Sequence, residues 1–131
     1  MSLQIYNSLS QKREEFVPLV PKQVKMYVCG PTVYNLLHIG NFRGPIFFNL
    51  VRNWLEYNGY DVNFVYNYTD VDDKIIEKSI AEKIPASEIS EKYIKEFQKD
   101  FAALSLKPHE QNPKVVCHID VRRRAVWLRR Q

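Results

Sequence analysis

The sequence predicts an α/β protein in which parallel strands are joined by crossover helices. Three observations lead there. A strand-like run from Val24 to Cys29 is halted by Gly30-Pro31, and a helix-like stretch from Asn41 to Asn58 follows it. A second strand-like run, Val62 to Tyr68, is rich in aromatic and branched residues. Two further helical patterns come after it. Strand, helix, strand, helix in that order argues for a parallel sheet with right-handed crossovers. At 131 residues the chain is one domain or part of one, long enough to bury roughly two thirds of its unfolded surface.

Each element has a local cause. Residues 1–23, punctuated by Pro18 and Pro21, are expected to be irregular or an edge strand. Val24 to Cys29 has the apolar, β-branched character of a buried strand. In the first helix Phe47, Leu50, Val51, Trp54 and Leu55 recur at helical spacing, and Gly59 stands where a C-terminal cap belongs. Asp72 to Lys83 reads as a short helix with acidic residues in its first turn, where the helix dipole favours them. Pro85 ends it. Ser87 is the expected N-cap of a longer helix whose Ile89, Tyr93, Phe97 and Phe101 step by four along one face, and Pro108 closes that element.

Composition narrows the class. Hydrophobic residues make up 45% and charged residues 26%, as in an ordinary soluble globular chain. No apolar run approaches the ~18 residues that span a bilayer. The start, Met-Ser-Leu-Gln-Ile-Tyr-Asn, has no basic segment leading into an apolar stretch, so no secretory signal is expected. Two cysteines, Cys29 and Cys117, form no disulfide framework, and a reduced cytoplasmic setting is the expectation. The formal net charge is +4, yet five arginines (122, 123, 124, 129 and 130) crowd the last ten residues. Removing those five from +4 leaves −1, so the basic character belongs to the tail rather than the body.

The segment Pro31-Thr-Val-Tyr-Asn-Leu-Leu-His-Ile-Gly-Asn41 lies between the first strand and the first helix. Strand-to-helix turns hold nucleotide phosphates in α/β proteins, because a helix N-terminus offers unpaired N–H groups and partial positive charge. Gly40 removes a side chain where a base or phosphate could touch the backbone. His38 and Asn41 can each donate to a phosphoryl oxygen. A turn in which Gly40 merely relieves packing and His38 is a surface histidine fits the tetrapeptide equally well. Ligands of parallel sheets sit at the carboxyl ends of the strands, which puts Cys29–Gly30 and Thr69–Asp70 at the same mouth as His38. Asp70, Asp72 and Asp73 do not make a calcium loop, since the glycine at the sixth position and the glutamate at the twelfth are missing. Cys29 taken alone is a buried free cysteine acting as a small hydrophobe.

Met26-Tyr-Val-Cys-Gly-Pro-Thr-Val-Tyr34, His38-Ile-Gly-Asn41 and Tyr68-Thr-Asp-Val-Asp-Asp-Lys-Ile-Ile76 stand in the order and spacing of one N-terminal signature. On these blocks the chain resembles the cysteinyl-tRNA synthetase family from about Ile5 to about Asp120. The resemblance implies part of a Rossmann-like, class I synthetase nucleotide-binding fold. It makes His38–Asn41 that family's version of the "HIGH" motif. By the same resemblance Pro31, Thr32, Tyr34, His38, Ile39, Gly40 and Asn41 contact ATP, with His38 and Asn41 catalytic, and Cys29, Gly30 and Thr69 bind the amino acid. Cys29 looks like the first ligand of a zinc ion that recognises the substrate thiol. A soft thiolate bonds Zn²⁺ far better than a serine hydroxyl does, which separates cysteine from serine where pocket shape cannot. The family's other protein ligands come from well downstream and are missing from this chain. Cys117-His118 is a poor substitute, because adjacent residues rarely chelate one metal.

The implied reaction joins cysteine to ATP, carried with magnesium, giving cysteinyl-adenylate and pyrophosphate, and then passes the acyl group to tRNA(Cys). Neither the lysine-rich "KMSKS" loop nor an anticodon-binding region occurs in these 131 residues, so tRNA binding by this chain is not expected. Residues 1–120 are read as the N-terminal half of the catalytic domain. Residues 121–131 are read as an atypical basic tail, disordered or frame-altered, because their charge balance is unlike the helices before them. Two functions remain: an N-terminal piece of a cysteine–tRNA ligase, inactive by itself, or a stand-alone nucleotide- or nucleic-acid-binding module.

Overall fold

A computed structural model describes residues 3–114. The elements are strands β1 (Gln4–Asn7), β2 (Lys12–Glu15) and β3 (Gln23–Val28), a 3-10 turn (Ile39–Phe42), helix α1 (Arg43–Tyr57), strand β4 (Asp61–Tyr66), and helices α2 (Asp73–Glu82) and α3 (Ala86–Ala103). β3 and β4 pair in parallel, with Val24 opposite Val62, Met26 opposite Phe64 and Val28 opposite Tyr66. The chain crosses between them through α1, as the order of elements requires. The architecture is therefore α/β with a parallel strand pair.

β4 is the spine of the core. Val62, Phe64 and Tyr66 alternate along it, Tyr68 continues the pattern just beyond, and all four are buried, as a period of two demands of one covered face. Ile89, Tyr93, Phe97 and Phe101 of α3 are buried in the same core, and the step of four thus marks the covered face of that helix. Phe97 stacks on Phe42 with ring centroids 5.5 Å apart and on Tyr66 at 5.9 Å. Beyond β4, the segment 110–114 follows the strand in parallel fashion. Glu110 N–H donates to Phe64 O (3.1 Å), while Tyr66 and Tyr68 N–H donate to Gln111 O (3.1 Å) and Pro113 O (2.9 Å).

Four local expectations change. The first twenty-three residues contain a hairpin, β1 antiparallel to β2, with Tyr6 opposite Arg13. Its strands are exposed throughout, so no buried face shows in their sequence. The turn is set by Asn7, whose side-chain oxygen accepts from Leu9 N–H (2.9 Å), and by Gln11 at φ +56°. β3 is mostly open rather than buried, with Val24 alone fully covered. On α1, Leu55 is buried but Phe47 and Leu50 are 56% and 63% exposed. Spacing shows that residues share a face, whereas what covers the face is decided elsewhere in the chain. Finally, α3 starts at Ala86 with Pro85 as its N-cap, where the missing N–H costs nothing. Ser87 lies inside the helix, and its carbonyl accepts from the Ser90 hydroxyl at 3.0 Å. Cys117, His118, the boundary at residue 120 and the basic tail lie outside the described residues.

Candidate functional site

The carboxyl ends of β3 and β4 are laced together. Thr69 N–H donates to Pro31 O and Val33 N–H donates to Thr69 O, both at 3.1 Å, so Thr32 and Thr69 form a parallel bridge beyond the strands. Val33 is almost wholly buried and fixes this end of the sheet in the core. Cys29, Gly30, Pro31, Thr32 and Thr69 therefore share one edge of the molecule.

Gly30 has a structural cause that the sequence did not reveal. Its N–H donates to the side-chain oxygen of Asn67 (2.9 Å). A Cβ at Gly30 would lie 1.7 Å from Asn67 O, so no other residue fits without moving backbone. Asn67 also accepts from the Tyr27 hydroxyl at 2.9 Å, which makes one amide oxygen the clasp between the two strand ends. In the sequence Asn67 falls within the strand-like run from Val62 to Tyr68 and does not stand out, because its partners lie far along the chain.

Cys29 follows the last residue of β3 and is exposed, not a buried hydrophobe. Its thiol points at Gly30 O at 3.7 Å, a weak contact that leaves the sulfur accessible. Among the described residues no group of three or more His, Cys, Asp and Glu side chains is gathered tightly enough to hold a metal ion. Cys29 has the right donor chemistry for zinc but no fellow ligands there.

The turn at His38 is a self-contained cap. His38 is the N-cap of the 3-10 turn, with extended backbone at φ −79° and ψ 152°. Its Nδ1 accepts from Gly40 N–H at 3.1 Å, and its own N–H donates to the Asn41 side-chain oxygen at 2.8 Å. These reciprocal bonds form a capping box. A Cβ at Gly40 would lie 3.2 Å from His38 Nδ1, so the glycine makes room for the imidazole. Asn41 thus belongs to the 3-10 turn that leads into α1, rather than to α1 itself. Ile39 is largely exposed beside them.

The Tyr34 ring lies at the start of α2, 5.3 Å from Lys74 Nζ. Asp72 caps α2 by accepting from Lys74 N–H at 3.0 Å, and Ile75 behind it is fully buried. The strand-end group is held by backbone bonds, and the His38 group by its own capping box.

A cavity of 390 Å³ opens on another face, between α3 and the segment leading to residue 112. Tyr68, Phe97, Phe101, His109 and Asn112 line it, and none of the sequence-predicted site residues does. Nearby, Arg52 of α1 holds three elements together. It donates to Glu56 (2.8 Å), to Pro108 O (2.6 Å) and to Glu110, whose other oxygen accepts from Phe64 N–H at 2.6 Å. A lone arginine on a helix gave no sign of this in the sequence.

Comparison with known proteins identifies the family. The family profile described as tRNA synthetases class I (C) catalytic domain matches residues 15–126. A cysteine–tRNA ligase of Bdellovibrio bacteriovorus is 61% identical over 118 residues, covering 90% of this chain and 24% of that protein. The corresponding ligase of Lachnoclostridium phytofermentans is 57% identical over 118 residues, covering 90% and 25%. That of Bacillus pumilus is 51% identical over 122 residues, covering 92% and 26%. The chain spans about a quarter of the length of the curated relatives it matches. On the match along most of its length, together with the parallel strand ends that carry the signature blocks, the chain belongs to the family of class I tRNA synthetase (C) catalytic domains.

Proposed function

We propose that this chain is the nucleotide-binding part of a cysteine–tRNA ligase, which activates cysteine with ATP and transfers it to tRNA(Cys). The observation that carries the reading is the lacing of Pro31 and Val33 to Thr69, which brings Cys29–Thr32 and Thr69 together at one sheet edge. In the activation step the cysteine carboxylate attacks the α-phosphate of ATP and pyrophosphate leaves. No protein nucleophile is needed, and positioning and stabilisation of phosphoryl charge supply the catalysis. His38 and Asn41 serve the phosphates, with Pro31, Thr32, Tyr34, Ile39 and Gly40 around the nucleotide. Gly30 and Thr69 face the amino acid.

Cys29 is offered as one thiolate ligand of a zinc ion whose selectivity for a substrate thiol would distinguish cysteine from serine. The described residues do not complete such a site, and no step is assigned to a metal. Residues 1–120 belong in this reading to the catalytic domain and residues 121–131 to a tail. A reducing cytoplasm suits an exposed free thiol such as Cys29. No helix among the described residues is long and apolar enough to cross a membrane.

The test is calorimetric titration of this chain with ATP, alongside cysteine-dependent ATP–pyrophosphate exchange. Weak ATP binding that is lost in His38→Ala, with no exchange, is the expected result. Exchange by the chain alone would overturn its inactivity. ATP binding unaffected by His38→Ala would remove the turn from the site.

A further inference from the structure

We propose that Asn41 and Gly40 are positioning residues that hold neutral His38 as one tautomer, with its ring proton on Nε2. This rests on the proposed function only in giving that proton a use toward phosphate. The geometry stands by itself. Gly40 N–H donates to His38 Nδ1 at 3.1 Å, so Nδ1 presents a lone pair and carries no proton while that bond is made. A neutral imidazole has one N–H, and it must then be at Nε2. His38 is exposed, so that N–H is open to a ligand.

Asn41 acts one step back. Its side-chain oxygen takes the His38 backbone N–H at 2.8 Å, which fixes the backbone from which the ring projects. Gly40 acts by what it lacks: a Cβ there would sit 3.2 Å from Nδ1 and push the ring off its donor. Asn41 therefore has its acceptor committed inside the cap, and through that bond it positions His38. The arrangement presents a single neutral donor to a phosphoryl oxygen.

The experiment is long-range ¹H–¹⁵N NMR on the ¹⁵N-histidine-labelled chain at about pH 8, above the ordinary histidine range. The His38 signals are assigned by their loss in His38→Gln. Wild type is expected to show an unprotonated Nδ1 and a protonated Nε2, with little averaging between them. Asn41→Asp keeps the oxygen and should keep that signature. Asn41→Leu removes the oxygen at similar size and should move His38 toward the averaged pattern of a free imidazole, with circular dichroism confirming that the chain is folded. A proton on Nδ1 in wild type overturns the proposal, and so does an unchanged tautomer in a folded Asn41→Leu. Should Asn41→Leu fail to fold, the wild-type tautomer and the Asn41→Asp comparison decide the matter. Titration with ATP then separates the two claims, since the tautomer can hold while ATP leaves Nε2–H unmoved. That result would sink the phosphate role and leave the positioning role standing.

Discussion

Gly30 is where one missing side chain decides the geometry of the whole edge. Its N–H meets the Asn67 side-chain oxygen, and its absent Cβ leaves room for the Asn67 carbonyl. Gly30→Ala would have to push backbone against backbone, because a contact of 1.7 Å cannot be relieved by rotating a side chain. Overpacking of this kind costs about 3 kcal/mol, at the upper end of the usual range. Chemical denaturation measures it, and a loss below about 1 kcal/mol would show that the strand ends are not held as described. Gly40 makes a gentler contrast. Its neighbour is a histidine ring, which can swing away, so its substitution disturbs the cap before it disturbs the fold.

Between elements, the join of α1, β4 and the segment after α3 is polar as well as aromatic. Arg52 is nearly buried and reaches Glu56, Pro108 and Glu110, so each of its three nitrogens has an acceptor. His109 sits beside it, stacked on Tyr66 at 4.7 Å and edge-on to Phe64 at 4.7 Å. Burial, and after it the Arg52 charge, pushes His109 down to about 4, with Glu110 pulling the other way. The folded chain thus keeps this ring neutral where the unfolded chain, with a pKa near 6.5, takes up a proton. The contribution to stability is complete above about pH 6.5. It is lost as pH falls from there to about 4, by at most about 1.4 kcal/mol per pH unit. His109→Phe keeps an aromatic ring and removes the titration. Denaturation midpoints at pH 7 and pH 5 should therefore differ less in the variant than in wild type, and equal differences would place His109 in solvent.

For the whole molecule the telling feature is an apolar face that nothing among the described residues covers. Ile46, Phe47, Leu50, Trp54 and Tyr57 are all exposed along α1, and among the described residues β3 pairs with a strand on one edge only. Parallel strands are ordinarily covered on both faces, and contiguous exposed apolar residues drive association. The chain is therefore expected to self-associate as its concentration rises. Burying one leucine is worth about 1.5–3 kcal/mol, so Leu50→Glu should raise the concentration needed for association about tenfold or more. Sedimentation velocity reads this out, with fold stability unchanged within about 0.5 kcal/mol. Unaltered association would mean that this face takes no part.

Sequence alone determined what depends on near neighbours. The step of four in α3, the alternation in β4, the halt at Gly30-Pro31 and the acidic first turn of α2 are properties of short stretches, and the chain carries them wherever it folds. The signature blocks were legible for the same reason, and so was the edge of the sheet they would share. Tertiary structure decided which apolar faces are covered, leaving Phe47 and Leu50 in the open while the equally periodic Phe97 is sealed. It also supplied the reasons for Gly30 and Arg52, whose partners stand 37 and 58 residues away. Periodicity is written into neighbouring residues, but a hydrogen-bond partner or a covering surface exists only once distant segments have been brought together.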